Sequence, residues 1–428
     1  MSRSLGLRYT PAILIGRLAR AVTRARGGGS AFPGYLVNRL APRYLRRLPE
    51  QLPDGVIFVL GSNGKSTTTH MVSELLRAHG RRVFTNPTGA NLPQGVTSAL
   101  LAEVTASGRL RADVAVLEID EAYAVELAKV LRPSLVLMLN VQIDQLYRFS
   151  ETERVADMML DTAVLATEHI VSNRDDPHLS KIAARVPDGP TVSYFGASDA
   201  VIAASAHGLV NAEDYRGGAW NESVTVDSLV TAWTADRTSI ELGGIPIELR
   251  LPAKGLHYAV DAAAALQTAR LALGSDFDPA TAVKAFQIMR PAYGRGELLN
   301  LGTEQVEITM FKNGASLQLN LDALEAAPEQ VLIAIDEGTP DISWIYDIDF
   351  SALDHVDVVS GEKCWQVALR LEHAGIPVHA IKPELRTAID LMRTMPAPAA
   401  GRKTWIVNYE QMMYARKLVG QGDMEIAR

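Results

Sequence analysis

One stretch, Gly61-Ser62-Asn63-Gly64-Lys65-Ser66-Thr67, combines the residue types needed to hold a phosphate chain. Glycines let backbone N–H groups approach phosphate oxygens, and a following helix aims its positive N-terminus at the anion. Lys65 adds a point charge, and the Ser66 hydroxyl can ligate Mg²⁺. The stretch follows the apolar run Val56–Leu60 and precedes a helical pattern from Ser66 to about His79. It departs from GxxxxGK[ST], because Val59 stands where the first glycine would be. A strand, a glycine loop and a helix in that order make ATP the expected ligand.

Three further apolar runs end on polar residues. Val114–Leu117 opens into Glu118, Leu135–Leu139 into Asn140 with Asp144, and Ile170–Val171 into Asn173 with Asp175-Asp176. Short, wholly apolar runs separated by helical patterns are the mark of parallel strands covered on both faces, and open α/β sheets bind ligands at the carboxyl ends of their strands. Glu118 is therefore the expected Mg²⁺ carboxylate, with a merely solvated strand terminus as the bland alternative. A second α/β unit follows from about residue 298. Val331–Ile335 ends in Asp336, Val356–Val359 in Ser360-Gly361, Val378–Ile381 in Lys382, and Trp405–Val407 in Asn408-Tyr409, with helical patterns over Lys363–Gly375 and Pro383–Met395. Between the two units, residues 195–250 alternate in short runs such as Ser239–Leu242 and Ile245–Leu251, which predicts inserted β-hairpins.

Those elements must sit in a chain of 428 residues that is 47% apolar, enough for two or three cored domains and too apolar for disorder. One cysteine, Cys364, allows no internal disulfide and no Cys-based zinc site, so a cytoplasmic setting is expected. Charge is unevenly spread. Residues 1–49 hold ten Arg and no Lys, Asp or Glu, which leaves the other 379 with 32 basic against 49 acidic side chains, a net of −17. An acidic body argues against nucleic acid as a partner. Thr10-Pro11 reads as a helix start, with Leu14, Ile15, Leu18 and Val22 along one arc, Arg17, Arg20 and Arg24 opposite, and Gly27-Gly28-Gly29 as the end. Two readings stand for this helix: packing on the body with a solvated Arg face, or peripheral contact with the inner face of an anionic membrane. Arg17 and Arg20 interrupt the apolar stretch, which argues against a signal peptide.

The phosphate loop is similar to the G-T-N-G-K-T-T of the Mur ligase superfamily. Leu117-Glu118-Ile119-Asp120-Glu121-Ala122, Asn140-Val141-Gln142-Ile143-Asp144-Gln145-Leu146 and Trp344-Ile345-Tyr346-Asp347-Ile348-Asp349-Phe350 resemble its MurT branch, the ATP-using subunits of lipid II isoglutaminyl synthase. The resemblance covers nearly the whole chain. It implies a basic helical segment over 1–50, an α/β ATP-binding domain over 51–295 with a β-rich insertion at 195–250, and a smaller Rossmann-like α/β domain over 296–428. It also implies activation of the D-isoglutamate α-carboxylate of lipid II as an acyl phosphate, followed by amidation with ammonia. A MurT-derived ligase for another carboxylate or amine is the alternative.

The same resemblance assigns roles. Lys65, Glu118 and Arg295 would be catalytic, with Arg295 reaching the phosphates from the hinge. Gly61, Ser62, Asn63, Gly64, Lys65, Ser66, Thr67, Asn140, His257 and Arg295 would hold the nucleotide, Ser66 and Glu118 the Mg²⁺, and Asn91 the acceptor. Ammonia would come from a GatD-like class I glutaminase subunit, because Cys364 lies in a predicted helix and reads as core. An aspartate lent to that partner would be Asp341 first, Asp336 second. Three departures stand out. Residues 195–250 lack the zinc-ribbon cysteines, which excludes a structural zinc there. The H-N-x-x-N segment reads His257-Tyr258-Ala259-Val260-Asp261, and Lys312-Asn313-Gly314 lacks the proline of K-N-P-A-G.

Overall fold

The computed structural model describes residues 7–25, 31–86, 90–142, 152–210, 224–234, 236–291, 294–336, 342–399 and 401–421. Each apolar run becomes a strand: β1 (Val56–Leu60), β2 (Val83–Thr85), β3 (Val114–Glu118), β4 (Leu135–Met138) and β5 (His169–Asn173). With β6 (Thr191–Ala197), β7 (Ser228–Trp233), β8 (Arg237–Leu242) and β9 (Ile245–Arg250) they make one nine-stranded sheet, ordered β2-β3-β1-β4-β5-β6-β7-β8-β9. Pairing is parallel as far as β7 and antiparallel for the last two strands. The hairpin foreseen within 195–250 thus continues the main sheet, because β7 stays in parallel register with β6.

Alternate strand residues face two cores, as a period of two requires. Phe58, Leu60, Leu117, Val136 and Met138 face α1 (Thr10–Ala25), α2 (Phe32–Leu40), α4 (Pro93–Glu103), α5 (Glu121–Leu131) and α6 (Thr152–Ala163). Ile57, Val59, Val116 and Leu137 face α3 (Lys65–Ala78), α8 (Leu256–Leu273) and α9 (Pro279–Ile288); α7 (Asp199–Ala203) lies by β7. Helix α8 is apolar nearly all round, and accordingly it is buried between α3 and strands β4–β8. Val59 is fully buried in β1, so the glycine missing from the phosphate loop is replaced by a core contact.

The second sheet runs β10 (Arg295–Leu301), β11 (Glu304–Phe311), β15 (Arg402–Asn408), β12 (Val331–Ala334), β13 (Val356–Ser360), β14 (Val378–Lys382), antiparallel only at β10–β11. Helices α10 (Gly314–Asp322) and α11 (Cys364–His373) cover one face, α12 (Leu385–Thr394) and α13 (Tyr409–Leu418) the other. Cys364 is buried on α11, as expected of a core residue, and burial pushes its thiol up. Among the described residues no helix is long and apolar enough to cross a membrane.

The N-terminal helix corrects its expectation. Thr10 lies inside α1 rather than capping it, and its hydroxyl is buried with no hydrogen-bond partner among the described residues. The face turned inward carries Ala12, Ile13 and Gly16, while Leu14, Ile15, Leu18 and Val22 are exposed. Arg17 is turned in, where its guanidinium donates to the Leu101 and Val104 carbonyls at the end of α4. Helix-end carbonyls satisfy that cation better than apolar side chains could, which decides the face. The Arg24 side chain and residues 26–30 lie outside what is described.

Helix α2 is clamped to α4 through Gly34. A Cβ there would lie 1.8 Å from the Gln94 carbonyl oxygen, and the Gly34 N–H donates to Ser98 Oγ at 2.8 Å. Gly34→Ala should therefore lower stability by about 1–3 kcal/mol and loosen both N-terminal helices from the body. Thermal unfolding and limited proteolysis would test this; unchanged melting and cleavage would show that α2 can shift at no cost.

Candidate functional site

The polar ends of β1, β3, β4 and β5 do converge, since these strands are neighbours. After β1 the chain turns through Gly61 (φ 149°) and Gly64 (φ 83°), backbone values that favour glycine. Gly64 is also the N-cap of α3 and brings no side chain to cap the helix. The first turn of α3 is thus left for an outside anion.

The loop is tied down from β4. The Ser62 N–H donates to the Asn140 carbonyl at 3.0 Å, the Asn63 N–H to Asn140 Oδ1 at 2.9 Å, and Asn140 Nδ2 back to the Asn63 carbonyl at 3.1 Å. Asn63 Nδ2 donates to Gln142 Oε1 at 2.6 Å. From the other side, Lys65 Nζ donates to Glu121 Oε1 at 2.6 Å and to the Gly61 carbonyl, and this ion pair is buried. Ser66 Oγ donates to Glu118 Oε2 at 2.6 Å. Glu118 ends β3, and Asn86 braces its backbone by accepting from the Glu118 N–H at 3.0 Å and donating to its carbonyl at 2.8 Å. A hydroxyl and a carboxylate meeting beside an ammonium are hard oxygen donors of the kind Mg²⁺ prefers.

The remaining expected residues fall around this centre. Thr67 is buried in the first turn of α3. Asn91 lies just before α4, where its carbonyl accepts from the Asp120 N–H at 3.0 Å. His257 joins Gly64, Thr67, Asn140, Asn173, Phe195, Leu209 and Asp261 around a cleft of about 50 Å³ lined by both apolar side chains and amide groups. Arg295 opens β10 opposite Thr309; its side chain lies outside the described residues. Asp336 is held within the second domain, accepting from Asn408 Nδ2 at 3.0 Å and Gln411 Nε2 at 3.1 Å. Asp341, Asp144 and Gln145 lie outside the described residues. Asp175 and Asp176 are fully buried and raised by burial, and both carboxylates accept backbone N–H groups, which marks them as structural.

Four residues that sequence reasoning did not select belong to the site. Glu121 and Asn86 act on Lys65 and Glu118 as described. Asn313 crosses from the second domain: it caps α10, and its Oδ1 accepts from Asn63 Nδ2 at 3.0 Å. Tyr409, at the start of α13, has its hydroxyl raised first by burial and then by the negative charges of Glu410 and Glu118. Glu121, Asn313 and Tyr409 stood in the quoted segments, but only the fold could pair them with the loop. A separate cluster, His355, Asp357 and His379, brings its ligand atoms within 4.8 Å of one another. It lies at the amino ends of β13 and β14, away from this crevice.

Known proteins place the architecture. The model of the Mur ligase middle domain matches residues 59–268, and that of the MurT ligase C-terminal domain matches residues 310–412. The chain is 26% identical over 412 aligned positions to the Staphylococcus aureus (strain COL) lipid II isoglutaminyl synthase (glutamine-hydrolyzing) subunit MurT, covering 88% of this chain and 90% of that protein. It is likewise 26% identical to the Streptococcus pneumoniae (strain ATCC BAA-255 / R6) MurT subunit, covering 97% and 98%. Among solved structures, MurF from Acinetobacter baumannii superposes with a TM-score of 0.67 at 19% identity, covering 90% of this chain and 79% of that one. The Thermotoga maritima MurF ligase, solved with ADP, gives 0.62 at 16%, covering 87% and 81%. These structures share the Mur ligase-type α/β fold.

Asp261 yields a test of the crevice's electrostatics. A Cβ on Gly64 would lie 2.8 Å from Asp261 Oδ1, so this buried carboxylate sits at the mouth of the phosphate loop. A negative charge there opposes a polyphosphate. Asp261→Asn should tighten ATP binding several-fold, roughly the ~1 kcal/mol scale of a charge at a helix terminus. Calorimetric titration would measure it, and weaker binding in the variant would mean that the carboxylate accepts a hydrogen bond from the nucleotide instead.

Proposed function

Because the chain belongs to the MurT-like branch of the Mur ligase superfamily, we propose that it is the ATP-using synthetase subunit of a glutamine-dependent amidotransferase acting on lipid II. The observation that carries the reading is the phosphate loop with Lys65 and the Ser66–Glu118 contact, met from the MurT-type domain by Asn313. In this reading the D-isoglutamate α-carboxylate oxygen attacks the γ-phosphorus of ATP, forming an acyl phosphate while ADP leaves. Ammonia then attacks the acyl carbon, phosphate leaves with the bonding pair, and the surplus proton passes to solvent. Activation replaces hydroxide by phosphate as leaving group, and a closed crevice shields the acyl phosphate from water.

The residues have distinct parts. Backbone N–H groups of Gly61 to Thr67 and Lys65 hold the β- and γ-phosphates, Asn140 and His257 the rest of the nucleotide, and Arg295 adds charge from the hinge. Ser66 and Glu118 would hold Mg²⁺, which when bound neutralises phosphate charge. Asn91 is the proposed acceptor contact. A glutaminase subunit supplies ammonia, since Cys364 is buried in the core of the second domain, and Asp341 is the aspartate offered to it. Asp336, with both carboxylate oxygens engaged, suits a bracing part better. The exposed Tyr346, Trp365 and Leu369 of the second domain suit that partner's footprint.

Amidation of detergent-solubilised lipid II by the purified chain with ATP and Mg²⁺ tests the reading. Product is expected from ammonium chloride alone, and from glutamine only with the glutaminase subunit. Lys65→Ala and Glu118→Gln should each cut turnover by about 10²-fold or more. Lys65-dependent ATP turnover on a different acid, with lipid II inert, would keep the activation chemistry and replace the substrate, a reading that Tyr258 and Asp261 favour.

A further inference from the structure

The N-terminal helices present a surface that the catalytic reading does not use. On α1, Leu14 is 51% exposed, Ile15 45%, Leu18 68% and Val22 43%; on α2, Phe32 and Tyr35 are 55% exposed and Leu40 51%. The opposite face of α1 is committed to the body: Ile13 is fully buried, and a Cβ on Gly16 would lie 2.4 Å from Val37. Rolling α1 to hide its apolar row would expose Ile13 and withdraw Arg17 from the α4 carbonyls. The row is thus held outward by packing.

What covers it is indicated by charge. The first 49 residues contain ten arginines and no acidic side chain, against a body of net −17, and Arg39, Arg43 and Arg46 are exposed. An apolar row with Phe and Tyr beside it, in a wholly basic segment, complements a surface that is apolar beneath and anionic above. Both helices also grip α4, which begins just after Asn91, so the surface is joined rigidly to the wall proposed to meet the acceptor.

We propose that α1 and α2 form a docking surface for an anionic lipid bilayer, with Leu14, Ile15, Leu18, Val22 and Phe32 entering the acyl boundary and the exposed arginines meeting phosphate headgroups. The lipid-linked acceptor of the proposed function gives this surface its purpose, but the inference rests on exposure and charge.

Sedimentation of the full chain with vesicles tests it. Binding is expected to phosphatidylglycerol/phosphatidylcholine vesicles and at least about tenfold less to phosphatidylcholine alone, given ~1 kcal/mol per basic residue near the surface. Leu14→Asp/Leu18→Asp should abolish it. Arg39→Glu/Arg43→Glu, or about 1 M salt, should weaken it. Because the four altered side chains are solvent-facing, unfolding temperature and amidation of detergent-solubilised lipid II should stay at the parent level. Absence of binding to anionic vesicles, or binding indifferent to Leu14→Asp/Leu18→Asp, would overturn the proposal. So would loss of self-association or of the glutaminase complex in that variant without loss of vesicle binding, since the occupant would then be protein. Vesicle binding without amidation would uphold the surface and sink only the catalytic reading, and amidation without vesicle binding would do the reverse.

Discussion

The buried pair between Lys65 and Glu121 is the constraint around which the first domain is arranged. An ammonium taken out of water costs several kcal/mol unless a partner and good geometry offset it. Glu121 can be that partner only because β3 lies directly beside β1 and ends one turn before α5, whose cap Asp120 holds the chain in place. The strand order, the short connection from β3 to α5 and the cap all serve to bring one carboxylate to one lysine. The same Glu121 oxygen accepts from the Gly61 N–H at 3.3 Å, so the charge that steadies the lysine also shapes the loop beneath it.

The second domain enters at the same place. Asn313 caps its own helix and at once accepts from Asn63, so the loop is read from both sides by amide groups. Around this point His207 meets Asp322 at 2.9 Å and Lys254 meets Glu325, further links between the domains at the rim. Rim pairs of this kind contribute little each, whereas the buried amide network is directional and sets register.

The strands were legible because wholly apolar runs admit little else: Val56–Leu60 is β1 to the residue, and Val114–Glu118 extends its run by one. That the 61–67 loop and Glu118 stand at the carboxyl ends of β1 and β3 was legible for the same reason. Glu121, Asn86, Asn313 and Tyr409 were not, because each acts through a partner tens to hundreds of residues away and no local period marks it. The orientation of α1 was half legible. Its apolar row was read correctly, but periodicity says only that two faces differ; which face is buried was decided by Gly16, Ile13 and the carbonyls that receive Arg17.

The bond between Asn63 and Asn313 joins residues 250 positions apart. At roughly 5–20 residues per second of synthesis, some 10–50 seconds separate the emergence of the two amides. The first domain can fold around Lys65 during that interval, but its phosphate loop waits for the second domain to receive its last hydrogen bond. Maturation of the crevice is therefore the closing event of the chain's biogenesis, and a chain cut short in the second domain retains a loop without its far wall.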